Sequence, residues 1–199
     1  MFLAYKAIVF DFNGVFVPAP EKKILYSVCE KIRVGKWIAL SNYYLNIWAF
    51  ERGFLSPEQF WKKVFVSITE KEYTELIVKE YEKSHQKNSL LFMFAKDLAK
   101  KFDLYILSNS NFLQGKTYRK QKLYSNFKEL FLSYEQGEIK PFPTIFQKFL
   151  NKTGFEAKEC IFIDDSTLNV LVSMALGFKG LVYQDNQDLE EKLKALKVL

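Results

Sequence analysis

Apolar runs of strand length recur along this chain at Ala7–Phe10, Leu104–Leu107, Phe131–Ser133, Ile161–Ile163 and Leu181–Tyr183, separated by segments with helical periodicity. That alternation specifies a parallel sheet covered by helices on both faces, so the expected fold class is α/β with a doubly wound sheet. Helix limits can be read as well. Pro143 fits a first-turn position, Ile145, Phe146, Phe149 and Leu150 share one face, and Gly154 lies beyond the end. Ser166 is the expected cap of a helix over Thr167–Leu176, which Gly177 stops.

Open α/β sheets bind ligands at the carboxyl ends of their strands, and four segments put polar groups there. Ala7–Phe10 runs into Asp11-Phe12-Asn13-Gly14, where a glycine turn can expose the carboxylate. Leu104–Leu107 closes on Ser108 and Asn109, Ile139-Lys140-Pro141 precedes a helix, and Ile161–Ile163 closes on Asp164 and Asp165. Taken singly, each has an ordinary reading. Asp11 is a turn former, Ser108, Asn109 or Asn111 a helix cap, and Lys140 a surface lysine. The acidic pair is the strongest signal, because adjacent acids after an apolar strand repel unless a cation or lysine sits between them. Jointly the residues offer a nucleophilic oxygen, oxygen ligands for a hard divalent cation, and donors for a transferring group.

The ordered set resembles the haloacid dehalogenase superfamily, whose four motifs run nucleophilic Asp, Ser or Thr, Lys, then an acidic pair. The spacing fits from Ile8 to about Val182. The resemblance implies a Rossmann-like core and a Mg²⁺-dependent phosphatase of a small phosphorylated substrate. Asp11 is the implied nucleophile, Ser108, Asn109 and Lys140 bind the substrate phosphate, and Asp11, Asn13, Asp164 and Asp165 hold the metal. Asn169, in the family's Asp-Asp-x-x-x-Asn pattern, supports the loop. One position departs from the pattern. Family phosphatases carry a second Asp two residues after the nucleophile as general acid and base, and here that residue is Asn13. A carboxamide does not exchange a proton near neutral pH, so a step usually worth ~10²–10⁴-fold loses its agent. Its backbone carbonyl, the atom the family gives to the metal, is unchanged.

Residues 15–89 contain no convincing sheet strand and read as several helices. Ser56-Pro57-Glu58-Gln59 has the form of a capping box with proline at the first helical position, and Thr69 with Glu72 repeats it. A helical insertion after the first strand resembles the cap of many superfamily members. The expected division is an α-helical cap over 15–89 and a core made of 1–14 and 90–199. Arg33, Lys36, Trp37, Asn42, Tyr43 and Tyr44 are cap candidates for substrate contact, with Trp37, Tyr43 and Tyr44 equally suited to cap core. His85 reads as a solvated surface residue.

At 199 residues, 49% hydrophobic and 17% aromatic, the chain has material for one good core and a small second unit. No stretch reaches the ~20 apolar residues of a membrane span, and Met1–Phe10 runs into Asp11 too soon for a signal peptide. Cys29 and Cys160 match no metal spacing and fit buried small hydrophobes in a reduced, cytoplasmic protein. The +6 charge permits anionic partners, yet its lysines are dispersed and no nucleic-acid motif accompanies them, so nucleic acid is not the expected partner. Oligomeric state is open. Besides the phosphatase, two readings compete. Asn13 supports a catalytically impaired phospholigand-binding or regulatory protein. Cap placement resembles that of 2-haloacid dehalogenases, but these make no use of a metal-binding acidic pair.

Overall fold

The computed structural model describes residues 5–83 and 87–199. In chain order it contains β1 Ala7–Phe10, α1 Glu21–Ile32, α2 Lys36–Glu51, α3 Pro57–Val64, α4 Glu70–Glu72, a π-helical stretch Tyr73–Val78, α5 Lys79–Lys83 and α6 Ser89–Leu98. There follow β2 Asp103–Ser108, α7 Phe112–Lys120, β3 Glu129–Leu132, α8 Ser133–Gln136, α9 Pro143–Thr153, β4 Cys160–Asp164, α10 Thr167–Ala175, β5 Lys179–Val182 and α11 Asn186–Ala195.

The five strands form one parallel sheet in the order β3-β2-β1-β4-β5. β1 is central, and all four of its residues are buried. The period-2 alternation of strand side chains divides its neighbourhood cleanly. Ile8 and Phe10 join Leu104, Ile106, Ile161 and Ile163 under one helical layer, while Ala7 and Val9 join Tyr105, Leu107, Cys160 and Phe162 under the other. The register sets Phe10 beside both Ile106 and Ile163, so Asp11, Ser108 and Asp164 emerge at the same edge of the sheet. The fold is the expected doubly wound α/β arrangement.

The third strand differs in detail from the expectation. It covers Glu129–Leu132, and Ser133 opens α8, which Gly137 closes in the left-handed region at φ 71. Ser133 Oγ accepts from the Ser110 backbone N–H at 2.9 Å and donates to its carbonyl at 3.0 Å, tying this end to the loop after β2.

A second apolar cluster gathers Ile24, Leu25, Val28, Tyr43, Ile47, Phe50, Phe60, Trp61, Phe65, Ile77 and Tyr81, all from the helices between β1 and α6. Tyr43 is in this core, but Trp37 is 84% and Tyr44 57% exposed, on a face of α2 shared with Leu45 and Trp48. His85 lies outside the described residues. Among the described residues no helix is long and apolar enough to cross a membrane.

Candidate active site

At the carboxyl edge of the sheet, Lys140 is the hub. Its ammonium sits 2.9 Å from Asp11 Oδ1 and 2.6 Å from Asp164 Oδ2, and all three residues are buried. Burial works against a lysine cation, but Asp11 and Asp164 outweigh it and hold Lys140 above the ordinary lysine pKa. Asp11 also accepts from the Phe12 N–H at 2.6 Å and from the Ser108 hydroxyl. Its carboxyl is pushed up to about 7, chiefly by burial, with Lys140 pulling down and Asp164 pushing up. Asp164 takes hydrogen bonds from the Ser166 N–H at 2.8 Å and from Asn169 Nδ2 at 3.0 Å. Asn169 therefore orients the buried acid, the supporting place expected of it.

Asp165 turns outward beside Asp164. Oxygens of Asp11, Asp164 and Asp165 all lie within 4.8 Å of one another, a hard-oxygen donor set suited to a cation such as Mg²⁺. Burial, and then Asp164, raise the pKa of Asp165, and a cation among these groups relieves that repulsion. Gly14 is the residue that lets the acids converge. It holds φ +90, and a Cβ there would collide with the Asp165 carboxylate. A cleft of about 660 Å³ lined by Gly14, Val17, Ala19, Asn88 and Asp165 opens on this side.

Asn109, expected to bind substrate, is tied to the hub. Its amide donates to the Lys140 carbonyl at 2.9 Å and accepts from the Lys140 N–H at 2.8 Å, pinning the backbone of the hub. The cap of α7 is Asn111, in a capping box with Gln114. Asn13 Nδ2 donates to the Asn109 carbonyl at 2.8 Å, and its amide faces Gln114 and the Tyr118 hydroxyl at 3.4 Å.

Above these residues the helices between β1 and α6 contribute groups that no sequence pattern marks. Glu21, in the first turn of α1, is buried and accepts from Asn111 Nδ2 at 3.0 Å and the Tyr81 hydroxyl at 3.2 Å. Burial pushes its carboxyl up to about 7. Glu51 ends α2 and stands in the electrostatic field of Glu21, Lys140 and Asp11. Both read in the sequence as ordinary helix-end acids. Of the expected cap contacts, Asn42 donates to the Val64 carbonyl at 3.3 Å and Lys36 pairs with Glu30 at 3.2 Å, both within the helical layer.

The chain resembles known proteins. The sequence model of the haloacid dehalogenase-like hydrolases matches residues 5–171. The chain is 25% identical to a D-ribitol-5-phosphate phosphatase of Bacteroides thetaiotaomicron, over 96% of this chain and 98% of that protein. It is 25% identical to a chloroplast flavin mononucleotide hydrolase of Arabidopsis thaliana, over 75% of this chain and 61% of that one. A family enzyme from Bacteroides thetaiotaomicron, crystallised with magnesium and inorganic phosphate, superposes with a TM-score of 0.76 at 23% identity, covering 91% of this chain and 95% of its own.

Proposed function

The chain belongs to the haloacid dehalogenase-like hydrolases, and from that membership we propose that it is a Mg²⁺-dependent phosphatase of a small phosphorylated substrate, working through Asp11. The observation that carries this reading is the buried Lys140 bridging Asp11 and Asp164 at the ends of adjacent strands. Asp11 attacks phosphorus, the substrate oxygen leaves, and water then attacks the phosphorus of the aspartyl-phosphate and frees Asp11. Lys140 neutralises a non-bridging oxygen and Ser108 donates to another. Asn109 keeps Lys140 in place through its backbone. Asp11, Asp164, Asp165 and the Asn13 backbone carbonyl would hold the metal, which when bound would offset the repulsion between carboxylate and phosphate. Residues 15–89 act as a cap over a core of 1–14 and 90–199, admitting substrate and excluding water.

The polyol phosphate named for the Bacteroides relative makes D-ribitol 5-phosphate a rational first probe. The panel adds acetyl phosphate, other sugar phosphates and 2-haloacids, with Mg²⁺ titrated against each. Hydrolysis of at least one phosphorylated probe should occur only with Mg²⁺ and be lost in Asp11→Asn. Metal-free halide release contradicts it. A second reading, a phospholigand-binding protein, is favoured by one observation: the Asn13 carboxamide is tied to Asn109, Gln114 and Tyr118 and has no acid proton to give. Phosphate and Mg²⁺ binding without turnover would select it.

A further inference from the structure

An in-line displacement at phosphorus places the leaving oxygen on the far side from Asp11, and a poor leaving group needs a proton there. The acid must therefore face Asp11 across the space the phosphoryl group fills, and Asn13 cannot serve. The last turn of α2 docks on the loop that carries Lys140. Trp48 packs edge-on against Phe142, with ring centroids 5.4 Å apart, and the Arg52 guanidinium lies 5.1 Å from the centroid of the same ring. Arg52 also pairs with Glu138 at 3.6 Å. Phe142 follows Lys140 by two residues, so Glu51, between Trp48 and Arg52, is clamped over the loop that carries the hub.

Glu51 sits near enough to Asp11 and Lys140 to interact electrostatically with both, yet its side chain hydrogen-bonds and ion-pairs with no described residue. It keeps partial access to solvent while its carboxyl is ringed by protein. Resting on the phosphatase reading, we infer that Glu51 is the general acid and base of this chain, supplied from the helical layer in place of Asn13.

The protons balance. Asp11 forms the O–P bond as the bond to the leaving oxygen breaks, and the Glu51 carboxyl gives its proton to that oxygen, releasing the alcohol. The Glu51 carboxylate then takes a proton from the water that attacks the aspartyl-phosphate, which restores the acid and leaves phosphate. The groups facing Glu51 suit the first step. Burial pushes its carboxyl up to about 8, Glu21 and Asp11 add to the rise, and Lys140 opposes it. Tyr43, on the same helix, is itself raised by burial and by the charges of Glu21 and Glu51. A carboxyl kept protonated at neutral pH is the form that donates.

The test compares Glu51→Gln with wild type on an alkyl phosphate and on acetyl phosphate, both with saturating Mg²⁺. The variant should lose ~10²–10⁴-fold in the single-turnover rate of leaving-group release from the alkyl phosphate and little in that from acetyl phosphate, whose leaving group needs no proton, while hydrolysis of the shared aspartyl-phosphate slows equally after either substrate. The alkaline limb of the alkyl-phosphate pH–rate profile should vanish with it. Adding Asn13→Asp to the Glu51→Gln chain should restore alkyl-phosphate turnover. Equal losses in leaving-group release from both substrates, or no loss in either, overturn the role while leaving the phosphatase reading standing. A wild type that hydrolyses neither substrate removes both.

Discussion

At the scale of single residues, the site holds more carboxylates than its one buried lysine can neutralise. Asp11 and Asp164 share Lys140, whereas Glu21 has only neutral donors, Tyr81 and Asn111. Its pKa rises from an ordinary 4.5 to about 7 because burial disfavours the charged form. The unfolded chain therefore gives up this proton near 4.5 and the folded chain near 7, so the folded state binds more protons between them. Stability must fall as pH rises through that window and level off above it, by at most about 3 kcal/mol from this group. Glu21→Gln keeps an acceptor for both donors and removes the titration. The difference in unfolding free energy between variant and wild type, followed by urea melts from pH 4.5 to 8, should grow in favour of the variant and then plateau. A difference independent of pH contradicts the assignment.

At the scale of elements, what the sequence made legible was local chemistry. The capping box at Ser56 and Gln59 is present, with Pro57 at the first helical position, because its partners are three residues apart and need no tertiary context. Ser56→Ala should cost about 1 kcal/mol, read as a shift in denaturation midpoint at constant m-value, since the cap is exposed and its loss leaves the core intact. Thr69, Asn111, Pro143, Gly154 and Ser166 obey the same local rules. The π-helical stretch Tyr73–Val78 has no such signal. Ile77 and Tyr81 lie in the second apolar cluster, a tertiary demand that spacing does not encode. Trp37 and Tyr44 were equally opaque, because α2 is apolar on both faces and its pattern does not say which face is covered.

At the scale of the molecule, the sheet order β3-β2-β1-β4-β5 brings Asp11, Ser108 and Asp164 to one edge from three strands, with Lys140 pinned among them by Asn109. The motif residues were legible because each ends an apolar run, and a parallel sheet aligns such ends. Glu21 and Glu51 were not, because their meaning comes from how the helices that follow β1 in the chain dock near that edge. The central claim is that a phosphoryl group passes through Asp11. Acid quench during Mg²⁺-supported turnover of the best phosphorylated probe, followed by proteolysis and mass spectrometry, tests it most directly. A phosphoryl adduct should appear on the peptide containing Asp11, absent without Mg²⁺ and absent from Asp11→Asn. Full turnover in Asp11→Asn, or an adduct located on any other residue, would contradict it.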